Sequence, residues 1–222
     1  MLRKYGSIVA KDLLIELRSK DTWVTMAAFT LMVVFLFAFA VDPYRVPVGP
    51  VFPGILWLSF LFAGMLAVGR GFEHEVQTDA LAALMMAPGD QLAIFAAKLT
   101  TGFLFMLGME AVMTPVFFAL FNQPWPRQWL QLGLVLVAGA LGFVGVGTLF
   151  GAIAANTRAG NVLLPVLLVP FGVPVLILAV EATTDLLHPA AGNPWPWLGA
   201  LAAYDVLFLG LPLLLYEYVW EV

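Results

Sequence analysis

Charges stand far apart in this chain, and the apolar runs between them are long enough to cross a bilayer. No charged residue interrupts Thr22–Val41, between Asp21 and Asp42, or Val46–Gly69, between Arg45 and Arg70. The run from Leu99 to Phe121 carries only Glu110, and that between Arg127 and Arg158 carries none. Val162–Val180 is free of charge, and Trp197–Tyr216 holds only Asp205. A helix rises about 1.5 Å per residue, so a hydrocarbon core about 30 Å thick takes about 20 apolar residues. The reading is an all-α integral membrane protein, one permease-like domain over residues 1–222. Its six transmembrane helices are expected at about 22–41, 46–69, 99–121, 130–155, 162–180 and 197–216. Composition agrees. Hydrophobic residues make up 62% and charged residues 11%, against about 45–50% and about 25% in soluble domains. A single aqueous core of this size cannot hide so many apolar runs.

Several function classes are excluded. A net charge of −4 suggests no nucleic-acid partner. With no cysteine there is no disulfide, thiolate metal site, redox switch or covalent haem attachment. No G-x-x-x-x-G-K-[ST] occurs, so no loop can cradle ATP phosphates. The chain is read as non-catalytic. The first apolar run begins late and spans a full bilayer, unlike a cleaved signal.

Six spans place both termini on one side, and the basic residues choose it. With the N-terminus in the cytoplasm, the inner segments hold Arg3, Lys4, Lys11, Arg18, Lys20, Arg70, Lys98 and Arg158, the outer loops only Arg45 and Arg127. The outer loops also carry Gln123-Pro124-Trp125-Pro126 and Asn193-Pro194-Trp195-Pro196-Trp197. Pro stops helices and Trp prefers the headgroup level.

Residues 2–20 read as an interfacial helix. Lys4, Ser7, Lys11 and Arg18 share one face, Leu2, Tyr5, Val9 and Leu13 the other, as in helices lying on anionic lipid. Asp12 and Glu16 fall on or beside the apolar face and could meet protein instead. A solvated charged leader is the alternative. The segment 70–98 is the longest inner connection. Phe72, Val76, Leu81, Leu84, Met85 and Met86 recur at helical spacing among Glu73, Glu75 and Asp79, and Pro88-Gly89-Asp90 is a turn and helix-start signal. A short amphipathic helix here either docks into a groove on a soluble partner or covers the bundle from below.

These features together resemble the haem exporter protein B family, the permease subunit of the bacterial cytochrome c maturation ABC transporter. Lys11-Asp12-Leu13-Leu14 with Glu16-Leu17-Arg18 is similar to the family's leader. Gly142-Phe143, Gly147-Thr148-Leu149-Phe150 and Asn156-Thr157-Arg158 resemble its fourth span and following turn. Leu163–Thr183, with Pro165, Pro170 and Pro174 in an aliphatic helix ending Val-Glu-Ala-Thr, is the most specific piece. Many members have Gly-Ser/Thr-Leu-Glu where this chain has Asp79-Ala80-Leu81-Ala82. The resemblance implies an ABC-2-like permease in the bacterial cytoplasmic membrane, energised by a separate ABC ATPase. It also implies a second permease copy and a haem-handling membrane protein as partners. Segment 70–98 becomes the coupling element, with Arg70, Phe72, Glu73, Glu75, Leu81, Leu84 and Pro88 as its contact residues. Haem is then cargo and ATP belongs to the partner; no cofactor is expected on this chain.

Other residues carry open alternatives. Glu110 and Asp205 lie inside spans, where a charge costs about 2.5–3.5 kcal/mol on insertion scales. They are a proton or ion relay or a gating pair, or else interhelical hydrogen-bond formers or acids near a span's end. His74 and His188 are the only histidines; each could ligate haem iron, but they fall on opposite sides of the membrane. The Trp-Pro clusters either stack on porphyrin or anchor the aromatic belt. Pro165, Pro170 and Pro174 make the fifth span a pathway-lining helix or a static kink. Gly139, Gly142, Gly145 and Gly147-x-x-x-Gly151 serve internal packing or a dimer face. The rival functions are an ABC-2 permease exporting a lipid-like or drug-like substrate, an ion-coupled secondary transporter, and a non-transporting scaffold.

Overall fold

The computed structural model describes residues 2–19, 21–40, 47–77, 91–155, 160–187 and 192–219. These form α1 (Leu2–Ser19), α2 (Asp21–Ala40), α3 (Val48–Gln77), α4 (Gln91–Leu120), α5 (Trp129–Ala155), α6 (Gly160–Leu187) and α7 (Trp195–Val219), with no strand among the described residues. Helices α2 to α6 are each long and apolar enough to cross a membrane. α7 runs for 25 residues.

Helix continues where the charge pattern suggested connections. α3 extends through Arg70 to Gln77 and α4 starts at Gln91, so both flanks of segment 70–98 are helical. α6 likewise takes in Glu181–Leu187, expected in an outer loop. The reason is local. A charged residue marks where the chain leaves hydrocarbon, but backbone hydrogen bonds do not end there, and Lys and Glu are good helix formers.

The bundle is apolar outside and partly polar inside. Phe39 is 89% and Val206 73% exposed, whereas Thr30, Ser59, Glu110 and Thr183 are fully buried. That inverts the soluble pattern, in which large exposed apolar surfaces are rare. Many buried hydroxyls are satisfied within their own helix, as in Ser59 Oγ to the Ile55 carbonyl (2.6 Å) and Thr148 Oγ1 to that of Val144 (2.7 Å).

α5 is the hub, packed against α3, α4, α6 and α7. Of its spanning window 67% is buried, against 22% for peripheral α2. Glycine makes the hub possible. A Cβ at Gly139 would lie 2.3 Å from Cη2 of Trp57, and one at Gly142 would lie 2.6 Å from Oδ1 of Asp205. Of the two roles open to this glycine row, internal packing is the one these residues fill. α2 fully buries only the stripe Thr22, Met26, Thr30 and Val34, one residue per turn, with Trp23, Ala27 and Leu31 half-buried beside it.

α4 ends in a Schellman cap. The Gln123 N–H donates to the Phe118 carbonyl (3.0 Å), the Asn122 N–H to that of Ala119 (3.3 Å), and Asn122 takes a left-handed φ of 49°. Asn tolerates this conformation, whereas it costs other L-residues about 1–2 kcal/mol. Asn122→Val should therefore lower stability by that amount and Asn122→Gly should not, as thermal unfolding in detergent would read.

Candidate functional site

Three groups of residues stand out from the packing: a latch at the charged end of the bundle, two buried acids, and the proline-broken α6.

At the charged end α1 lies against the base of α4. Ile8 is buried with Ile94 and Ala97, flanked by Tyr5 and Val9. Tyr5 and Thr100 share a hydroxyl hydrogen bond of 3.0 Å. The Lys98 ammonium stands 2.9 Å from one Asp12 oxygen, both side chains 11% exposed, and Lys11 lies 3.0 Å from the other. Asp12 thus meets protein, and the face of α1 that docks is Tyr5, Ile8, Val9 and Asp12. Leu14 and Ile15 are exposed. The signal for this was present: an acid on an apolar face, and a basic residue at the foot of a span. Charge-assisted hydrogen bonds contribute about 1.5–3 kcal/mol. Asp12→Ala should lose about that much thermal stability, and the swap Asp12→Lys with Lys98→Asp should recover part of it.

The acids do not pair. Glu110 is 0% exposed, and neither carboxyl oxygen has a hydrogen-bond partner among the described residues. Asp205 is 6% exposed, its Oδ1 unpartnered and close to Gly142 of α5. Among the described residues Glu110 forms no interhelical hydrogen bond, and none joins it to Asp205. Sequence alone could not see this, since it says that an acid is in a span but not which way it points.

α6 continues through Pro165, Pro170 and Pro174. Pro174 cannot donate to the Pro170 carbonyl, which opens the helix wall there. At the next residue, the Tyr204 hydroxyl of α7 donates to the Phe171 carbonyl at 2.5 Å. A second clamp holds α6 to α3: Trp57 Nε1 donates to Thr183 Oγ1 (2.8 Å), and that hydroxyl donates to the Ala179 carbonyl (2.7 Å). Neither Tyr204 nor Trp57 stood out in the sequence, because both belong to aromatic-rich runs. Between α3, α4, α5 and α6 lies an apolar crevice lined by Trp57, Leu61, Met106, Phe143, Val175 and Leu176, with about 10 Å³ of room. That holds about one water, not a porphyrin.

Of the residues expected to couple to an ATPase, Arg70, Phe72, Glu73 and Glu75 lie on the α3 extension, as does His74. Leu81, Leu84, Pro88 and His188 lie outside the described residues. At the opposite end Trp125, Trp129 and Trp195 are more than half exposed. Trp197 is held by its Nε1 donating to Asp185 Oδ2 (3.0 Å). No group of three or more His, Asp or Glu residues suited to a metal occurs among the described residues.

The sequence of this bundle matches the CcmB protein family over residues 3–213. The chain belongs to the CcmB family. Among its relatives is Heme exporter protein B of Paracoccus denitrificans, 32% identical over 92% of this chain and 93% of the relative. The protein of the same name in Rhodobacter capsulatus is 32% identical over 79% and 80%, and that of Escherichia coli K12 29% over 82% and 80%. The CcmB match begins and ends in helix: it takes in the α1 latch, both buried acids and the prolines of α6. This CcmB-family chain is a multi-pass membrane protein.

Proposed function

We propose that this chain is the membrane permease subunit of an ABC transporter that exports or delivers haem for c-type cytochrome biogenesis. The observation that carries the reading is the near full-length similarity to relatives named Heme exporter protein B. The residues support a non-catalytic role, since no phosphate-binding loop occurs in the sequence. Energy then comes from a separate ATPase, which engages the segment between α3 and α4. A second permease copy and a haem-handling membrane protein complete the assembly. In this reading α7 is the sixth span. Its 25 residues reach about 37 Å at the helical rise. Both termini face the cytoplasm of a bacterial inner membrane, as the Lys/Arg bias favours. α6, with Pro165, Pro170 and Pro174, is the helix assigned to the pathway, alongside Asp205.

The test is purification from the native membrane with identification of the co-purifying chains. An ABC ATPase and a haem-handling protein are expected; a chain that purifies alone and still moves a substrate would sink the proposal. The haem itself is assigned to a partner. The spans offer propionates no Arg or Lys, and the crevice is too small. The purified chain should therefore give no stoichiometric haem spectrum on titration, and His74→Ala and His188→Ala should each leave cytochrome c maturation largely intact. A spectrum with axial-ligand character, lost in His188→Ala, would make this chain a haem conduit.

A further inference from the structure

The prolines of α6 divide it into two halves held in different ways. Pro170 cannot donate to the Val166 carbonyl, nor Pro174 to that of Pro170, so two successive turns each lose a backbone hydrogen bond. Gly172 stands between these prolines, close against Phe143 and Leu61. Only 28% of the spanning window of α6 is buried, against 67% for α5. On the Leu187 side of the break α6 is pinned: Trp57 of α3 holds Thr183 by a hydrogen bond of 2.8 Å, and Val175 borders Gly142 of α5. On the Gly160 side Leu164 borders Gly69, and Leu168 borders Gly147 beside Val68, both apolar contacts.

The apolar crevice adjoins this break, for Gly172, Val175 and Leu176 line it together with Trp57 and Leu61. α3 and α6 run antiparallel: Thr183 meets Trp57, Gly172 meets Leu61, and Leu164 meets Gly69. Leu168 falls between the last two levels and is 0% exposed, so it closes the crevice on the Gly160 side. One side-chain hydrogen bond reaches the break itself. The Tyr204 hydroxyl of α7 donates to the Phe171 carbonyl, between the two prolines. In hydrocarbon no water competes for that carbonyl, so the bond ties the broken turn to α7.

We propose that α6 is a hinged gate. Its pivot is the turn Pro170–Pro174, its moving arm the Gly160 half with Leu164 and Leu168, and its catch the Tyr204 hydroxyl on Phe171. When the catch releases, the arm swings away from Val68 and Gly147, and the crevice gains an opening on that side. The Leu187 half stays in place, because Trp57 holds it through Thr183. A few residues absorb the backbone rotation, as in other hinges. The gate rests on the assignment of α6 to the pathway and names the residues that open it.

The chain has no cysteine, so single thiols can report the swing. Leu168→Cys places one where N-ethylmaleimide reaches it only when the arm moves; Leu164→Cys is the second reporter should the first fail to fold. Ile94→Cys, buried in the α1–α4 contact, is the control. The purified protein with its co-purifying subunits is labelled, and mass spectrometry gives the rates. Tyr204→Phe should speed labelling of Leu168→Cys about fivefold, the weight of one hydrogen bond, and leave Ile94→Cys unchanged. Pro174→Ala, which gives the Pro170 carbonyl its donor back, should slow it several-fold. Labelling that neither variant alters would overturn the gate. So would an equal acceleration of Ile94→Cys, which would mean general loosening. ATP separates the gate from the proposed function: a rate that answers Tyr204→Phe but not ATP keeps the gate and counts against ATP-driven transport.

Discussion

Leu81→Asp, or charge reversal at Glu73 and Glu75, should release the ATPase and abolish cytochrome c maturation while leaving the spans folded. The sequence holds no phosphate-binding loop, so under the proposed function the driving energy enters through a surface shared with an ATPase chain. The segment joining α3 to α4 suits that task. It has apolar residues at helical spacing for a groove and acids among them for register. It also leaves and re-enters the bundle through rigid helix, since α3 runs on to Gln77 and α4 starts at Gln91. Placing a charge in the apolar groove contact costs several kcal/mol when it stays unpaired, enough for roughly a thousandfold loss of affinity. Co-purification of the ATPase and c-type cytochrome content are the two readouts. If the ATPase stays bound through all three changes, the segment only covers the bundle.

The second large effect concerns packing. Gly139→Ala and Gly142→Ala should each cost about 1–3 kcal/mol, the usual range for overpacking, and together should prevent assembly of the α5 hub. At Gly139 the new methyl would stand 2.3 Å from the Trp57 ring. That ring cannot retreat: it is buried and its Nε1 is engaged by Thr183. At Gly142 the obstacle is the Asp205 carboxyl at 2.6 Å, itself buried on α7. Gly133→Ala is the control on the same helix, because a Cβ there meets nothing within 4 Å; it should be neutral or slightly stabilising through helix propensity. Thermal unfolding in detergent separates the three. Equal stability of all three variants would mean that α5 is not the hub.

Much of the chain was legible before any fold. A bilayer asks one thing of a span, that about 20 residues be apolar, so spacing between charges found α2 to α6 directly. Turn chemistry was equally local: the Gln123-Pro124-Trp125-Pro126 segment follows the end of α4, where prolines would stop any helix. The family, too, lay in the linear order of residues such as the three prolines of α6. The ends of the helices were not legible. The charge pattern stops at the membrane surface while backbone hydrogen bonding continues, which is why residues 70–77, 91–98 and 181–187 are helical.

What each polar group meets was decided only in three dimensions. Periodicity placed Asp12 on the apolar side of α1, but its partner, Lys98, is remote in sequence and arrives there because α1 folds back on α4. Glu110 and Asp205 look alike in the sequence as acids in spans. The fold buries one with neither oxygen partnered among the described residues and lodges the other against Gly142 of the hub. In lipid every apolar face satisfies the solvent equally well, so hydropathy can say that a helix spans but not which side it turns inward. Steric fit makes that choice: the glycines of α5 admit Trp57 and Asp205, and the position of every neighbouring side chain follows from it.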